Sequence, residues 1–481
     1  HFEARRQRQM CIRDSPSTEK LGSKGLNSKG IEKLIALIVP QIGHSYPETL
    51  SQEILSENRL LAKKDALKKI HQPATQTDIQ DSRIRHKFEE LFYLQLELLI
   101  RKKLSSIRHK GFVFSEVGTI FNSFFSKNLP FELTGAQKKV VREIRKDFLS
   151  GSHMNRLLQG DVGSGKTLVA LMSMLIAIGN GYQTAIMAPT EILANQHYDT
   201  LQEFTKGLPI RIELLTGSAK KAQRTKIHNG LLNGEIDLLV GTHALLEDTV
   251  QFQNIGLVVI DEQHRFGVAQ RSKMWGKNKQ PPHILIMTAT PIPRTLAMTF
   301  YGDLEVSVID ELPPGRKEIQ TVHRYEKNRL QVFKFIETQI QKGRQIYMVF
   351  PLIKESEKLD FHNLMDGFEA VSRSFPLPDY KVSIVHGQMK SEEKEFEMQR
   401  FIKGETQIMV ATTVIEVGVN VPNATVMVIE SAERFGLSQL HQLRGRVGRG
   451  GEQSYCILVT KIELSKESKK RMKTMVQSND G

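Results

Sequence analysis

Cysteine is nearly absent from this chain: Cys11 and Cys456 are the only two in 481 residues. Two thiols are too few for a disulfide framework or a structural zinc module, and they fit a reducing compartment. No apolar run approaches the roughly 18 residues of a membrane span, and no secretory apolar core follows the amino terminus, which points to a cytoplasmic chain without a membrane partner. Acidic residues are in deficit, 53 against 67 lysines and arginines, and the formal charge is +14. So basic a chain is suited to polyanions, although charge alone does not choose among nucleic acid, ribosome and membrane surface. The first fifteen residues, HFEARRQRQMCIRDS, have neither a starting methionine nor an apolar period. They read as a foreign or disordered tail, residues 1–15.

What is present is the profile of a folded chain with several cores. Apolar residues make up 40% and charged residues 25%, and the length calls for two to four domains. From Pro16 to about Lys110 the apolar spacing is helical, most clearly in RIRHKFEELFYLQLELLIRKK, where Phe88, Leu91, Leu94, Leu96 and Leu99 return to one side. That pattern predicts a long helix packed on a neighbouring domain, with Gly111 to Pro130 as a connector. Beyond Phe131 short β-rich runs alternate with helical stretches: TAIMAP, IDLLVGT, LVVIDE and ILIMTAT, then QIYMVFP, KVSIVHG, QIMVATT and TVMVIES. Buried strands alternating with helices predict parallel sheets covered on both faces. The predicted fold class is therefore α/β, with two tandem lobes over 131–315 and 316–462. A helical region over 16–130 precedes them and a further helical segment, 463–481, follows. ELPPGRK, residues 311–317, breaks the pattern between the lobes.

The most specific signal is LLQGDVGSGKTLVA. Gly160, Gly165, Lys166 and Thr167 satisfy the phosphate-loop spacing, after an apolar run and at the start of a helix. Glycines there let backbone N–H groups and the helix amino terminus face a β-phosphate, with Lys166 reaching the β and γ oxygens and Thr167 offering its hydroxyl to Mg²⁺. A nucleotide so held needs a carboxylate near Mg²⁺ and a group to orient water, because phosphoryl transfer is mostly positioning and charge stabilisation. In LVVIDEQHRFGVAQR, Asp261 suits the metal and Glu262 the water. Carboxylates at strand ends are common, so this pair gains its weight from the phosphate loop upstream. In QLHQLRGRVGRGG, Arg444, Arg446 and Arg449 stand among glycines with Gln442 beside them, suited to meeting a γ-phosphate across a cleft. Alone, such a run equally describes a solvated basic turn.

The ordered set FELTGAQ, GDVGSGKT, APTEILANQH, LLTGS, VGTHAL, DEQH, TATPIPRT, ATTVIEVGVNVP and QLRGRVGRG resembles the superfamily 2 nucleic-acid helicases. Within it, DEQHRFGVAQR, MTATPIPRTLAMTFYGDL and ERFGLSQLHQLRGRVGRG look like the RecG family of ATP-dependent DNA translocases, over roughly residues 16–481. The resemblance implies two RecA-like lobes and remodelling of stalled replication forks and Holliday junctions. ATP and Mg²⁺ are the implied cofactors. Branched or duplex DNA is the implied partner, with a single-stranded DNA-binding protein as a further one, and the chain would be a monomer in the bacterial cytoplasm at the nucleoid. It implies that Phe131 and Gln137 contact adenine, that Gly160, Gly163, Gly165, Lys166 and Thr167 hold the phosphates, and that Thr167 and Asp261 hold the metal. Glu262 would face the water, and Gln442, Arg446 and Arg449 the γ-phosphate. Thr190, Thr242, His264, Arg265, Thr288, Thr290, Glu416 and Gly418 would couple the cleft to DNA. Asn420 stands where many related motors have Asp and can still hydrogen-bond a ribose.

DNA binding would be mainly electrostatic. KESKKRMK, on a helix beginning near Glu463, offers a basic face that is equally readable as a solvated helix. The family also has an amino-terminal wedge domain, which nothing before PSTEKL resembles, and a carboxy-terminal helical hairpin with a translocation loop, of which residues 463–481 would be only the start, so a chain truncated at both ends is expected. Two other classes compete. A transcription-repair coupling translocase would carry a polymerase-binding module. A preprotein-export motor would carry a large insertion between Lys166 and Asp261, and a non-catalytic ATP-binding module would have lost Lys166, Asp261, Glu262 or Arg449; the sequence shows none of these three features.

Overall fold

The computed structural model describes residues 28–42, 46–108, 110–129, 131–262, 280–289, 304–311, 317–351, 357–412, 421–448 and 450–478. The residues divide into two compact units, one through Leu104 and one from Ser105. Among the described residues no helix is long and apolar enough to cross a membrane.

The first unit is helical, with helices Ser28–Ile42, Gln52–Glu57, Lys63–His71 and Gln76–Arg108. Charge holds its centre. Arg85 is fully buried and donates to Glu89 at 2.7 Å and to Glu48 at 2.6 Å, while Lys63 meets Glu89 at 2.8 Å. A buried guanidinium is tolerable only when carboxylates satisfy it in this way. The leucine stripe predicted to be a packing face is not covered by the helices of its own unit: Leu91, Leu94, Leu96 and Leu99 are all exposed. The long helix is anchored through Ser82, Arg85 and Glu89 in its first half, and periodicity alone could not show which half carries the contacts.

The second unit holds two parallel α/β lobes, as the alternation of strands and helices predicts. In the first lobe the strands are β1 Asn155–Gly160, β2 Gln183–Met187, β3 Ile212–Leu215, β4 Leu238–Gly241, β5 Ile255–Asp261, β6 His283–Thr288 and β7 Glu305–Ile309, in sheet order β3-β4-β2-β5-β6-β1-β7. In the second they are β8 Gln320–Tyr325, β9 Gln345–Phe350, β10 Val382–Val385, β11 Ile408–Thr412, β12 Ala424–Ile429 and β13 Tyr455–Thr460, in order β10-β11-β9-β12-β13-β8. All pairings within both sheets are parallel, so every strand delivers its carboxyl end to one edge. Ligands of open parallel sheets bind at that edge.

The segment predicted as a connector is part of the first lobe instead. Phe114 and Phe124 are fully buried in its core, Phe114 packs on Phe148 at 4.8 Å, and Phe112 packs on Tyr182 at 4.8 Å. Gly111 lies against the backbone of Ser152, where a Cβ would come within 2.2 Å of its carbonyl oxygen. These aromatics follow no helical or strand period, so the sequence pattern concealed how much area they bury.

Candidate active site

Register brings the phosphate loop and the acidic pair together. Leu158 of β1 and Asp261 of β5 both align with Met287 of the intervening β6, so the two loops emerge side by side, two strand spacings or about 10 Å apart. Beyond β1 the chain turns through Gly163 (φ 79°) and Gly165 (φ 87°) before the helix Lys166–Gly179. Left-handed backbone at both positions is cheap only for glycine. The helix is buried from Leu168 to Ile178, which fixes its amino terminus in the lobe and presents N–H groups to an anion.

The loop is already braced. Lys166 Nζ donates to the carbonyls of Gly160 (2.7 Å) and Asp161 (2.8 Å), the oxygens it would leave to meet a phosphate. Gln137 is buried and donates from Nε2 to Ser164 O at 2.9 Å, while its Oε1 accepts from Thr134 N at 3.0 Å in a helix capping box. Ser164 Oγ is buried beside these groups and has no hydrogen-bond partner among the described residues. A glycine cradle, a helix amino terminus, an ammonium and an unsatisfied hydroxyl are the donor set a nucleotide phosphate requires.

The carboxylates differ in environment. Burial works against ionisation of Asp261, yet the His197 hydrogen bond and the nearby Lys166 ammonium hold it below the usual carboxylate range. His197 Nε2 lies 2.9 Å from Asp261 Oδ2. Glu262 is pushed up to about 7, first by burial and then by Asp261, with Lys166 and Arg446 acting the other way. Its backbone is left-handed (φ 51°) and its N–H donates to Met287 O at 3.0 Å. A non-glycine residue in that region, with a raised carboxyl in a cleft, marks a candidate functional position.

The second lobe approaches through the helix Leu437–Arg444 that follows β12. His441 Nε2 lies 3.6 Å from Asp161 Oδ1, and a Cβ on Gly445 would lie 3.0 Å from Val162 Cγ2. Arg446 is buried and acts electrostatically on Glu262, with Gln442 half-buried beside it. The arginine run has divided duties: Arg444 is buried and turned away, donating to Met475 O (3.1 Å) of the last helix, Lys466–Gln477, and to Ser478 O (2.6 Å), the residue that caps its carboxyl end. That helix starts at Lys466, capped by Ser465, three residues beyond the predicted start near Glu463. It buries Met472 and Met475, while Lys466, Lys469, Lys470 and Lys473 remain exposed.

The remaining sequence-predicted residues are distributed unevenly. Thr167 lies in the first turn of the loop helix, and Thr288 is buried at the end of β6. Thr190 and Thr242 follow the adjacent strands β2 and β4, farther along the same sheet edge. Thr190 Oγ1 caps the helix Glu191–Phe204, and Thr242 is buried. The ring of Phe131 is 43% exposed, as a stacking platform would be, whereas the amide of Gln137 is engaged on both sides within the protein. His264, Arg265, Thr290, Glu416, Gly418 and Arg449 lie outside the described residues. Sequence reasoning assigned no role to His197, although it closes the quoted APTEILANQH segment; a histidine 64 residues from its acidic partner has no spacing signature.

Two family models match the chain: a DEAD/DEAH box helicase domain over residues 134–299 and a helicase conserved C-terminal domain over residues 328–451. The ATP-dependent DNA helicase RecG of Synechocystis sp. is 49% identical over 459 residues, covering 95% of this chain and 55% of that protein. The RecG of Streptococcus pneumoniae is 45% identical over 460 residues, covering 95% of this chain and 68% of that protein. A solved structure of RecG bound to a three-way DNA junction superposes with a TM-score of 0.77 at 43% identity, over 95% of this chain and 60% of that one. The chain thus spans between about half and two thirds of the length of these relatives.

Proposed function

Because the chain belongs to the RecG family of ATP-dependent DNA helicases, we propose that it hydrolyses ATP and couples hydrolysis to movement on branched duplex DNA, such as forks and Holliday junctions. The observation that carries the reading is the meeting, at one sheet edge, of the Lys166 loop, the Asp261–Glu262 pair and Arg446 from the second lobe. Lys166 exchanges the Gly160 and Asp161 carbonyls for phosphate oxygens. Glu262, once ionised, orients the attacking water and accepts its proton, while Arg446, Arg449 and Gln442 face the charge developing on the γ-phosphate. Mg²⁺ would be held by Thr167 and Asp261 with the phosphates supplying the other oxygens, and it would neutralise the charge that develops there.

Thr190, Thr242 and Thr288, with His264, Arg265, Thr290, Glu416 and Gly418, are the candidates for coupling the cleft to DNA. The chain would act as a monomer at the bacterial nucleoid, with a single-stranded DNA-binding protein as a further partner. Phosphate contacts by lysine and arginine release counterions on binding. Fluorescence anisotropy of a labelled three-way junction should therefore show affinity falling at least about a hundredfold between 50 and 200 mM salt. Affinity that is flat with salt, or no junction binding at all, would contradict the DNA assignment.

A further inference from the structure

His197 is a buried imidazole whose ring has, among the described residues, one polar neighbour of consequence, and the hydrolytic scheme above does not use it. It sits on the helix Glu191–Phe204, whose Leu193, Ala194 and Leu201 are packed in the core of the first lobe. The start of that helix is fixed by the Thr190 cap and by Glu191, whose carboxylate accepts from Ser218 N (3.1 Å) and Ser218 Oγ (2.8 Å). The imidazole therefore has little freedom to follow a moving partner. Asp261, by contrast, ends a strand, and its carboxylate can turn about two torsions unless something holds it. The 2.9 Å contact from His197 Nε2 to Oδ2 supplies that hold.

From this geometry we infer that His197 is a positioning residue for magnesium: its Nε2–H fixes one oxygen of Asp261 so that the other is presented to the metal of the bound nucleotide. The inference rests on the reading of Asp261 as a metal ligand. Groups that orient metal-binding carboxylates lower the cost of ordering them at the moment of binding, and their loss costs about 10- to 100-fold in metal affinity or activity. Thr190, which caps this helix, is a candidate DNA contact, so the same hydrogen bond joins that segment to the metal ligand through two rigid turns.

The test is the affinity of the 481-residue chain for a fluorescent ADP analogue, measured with Mg²⁺ and again with a chelator. His197→Ala should lose about tenfold or more of the tightening that Mg²⁺ gives and leave the chelated affinity unchanged, whereas His197→Gln, whose amide nitrogen can replace Nε2–H, should regain most of it. Wild-type tightening in His197→Ala would overturn the inference. So would a loss that appears equally with the chelator, which would mean that the residue only supports the fold. Asp261→Ala separates this inference from the reading beneath it: if that variant keeps the Mg²⁺ effect, or the wild type has none, Asp261 is not the metal ligand and both fail together.

Discussion

Glu262→Gln will leave the chain folded and harder to unfold above pH 7, yet unable to turn over ATP, with kcat lower by about a thousandfold. The two effects share one cause. Burial and the neighbouring Asp261 push the Glu262 carboxyl from about 4.5 in an open chain up to about 7 in the folded one. Between those values the folded protein keeps a proton that the unfolded chain releases. Stability from this group is therefore fully present below pH 4.5, falls as pH rises, and is lost once pH passes 7. A neutral glutamine of the same shape escapes that loss, which at pH 8 is worth up to about 3 kcal/mol for a shift of this size. Urea unfolding of the nucleotide-free protein should show Glu262→Gln gaining stability at pH 8 and converging on the wild type near pH 4.5. Only the ionised carboxylate can accept a proton from water, so kcat/KM of the wild type should decline below about pH 7. A variant that hydrolyses ATP normally, or is less stable at pH 8, would contradict the role given to Glu262.

Gly165→Ala should abolish nucleotide binding, weakening it by more than about a hundredfold, because alanine fails there for two separable reasons. The backbone lies at φ 87°, where a Cβ is strained, and that Cβ would stand 2.3 Å from Gln137 Nε2. Left-handed backbone costs about 1–2 kcal/mol for an L-residue, and the clash breaks the Gln137–Ser164 hydrogen bond, worth about 1 kcal/mol more. The loop whose N–H groups must converge on a phosphate is displaced at its last residue. Adding Gln137→Ala to Gly165→Ala should recover part of the stability without restoring affinity, since it removes the clash and leaves the φ strain. Calorimetric titration with ADP and urea unfolding read the two quantities independently. Near-normal affinity in Gly165→Ala would mean that the loop does not hold phosphates.

The glycine loop was legible because its pattern is local: Gly160 to Thr167 is one turn of chain whose spacing dictates its shape. Asp261 and Glu262 were less legible, because many strands end in carboxylates, and the pair drew its weight from the glycine loop upstream. Contacts formed across the fold were not legible. Nothing in QLHQLRGRVGRGG separates Arg444, which is spent on carbonyls at the carboxyl end of the last helix, from Arg446, which acts on Glu262. Gln137 reads as a base contact by position, yet its amide is satisfied inside the protein by Thr134 and Ser164. The aromatics between Gly111 and Pro130 looked like linker because they keep no period, and only their packing on Phe148 and Tyr182 shows where they belong.

The most direct test is the steady-state ATPase rate of the chain alone, with a linear duplex and with a three-way junction, each at low and high salt, beside Lys166→Ala. Hydrolysis that rises most with the junction, weakens with salt and vanishes in Lys166→Ala is the predicted result. Hydrolysis that is absent, that ignores DNA, or that survives in Lys166→Ala would contradict the coupling of this site to branched DNA.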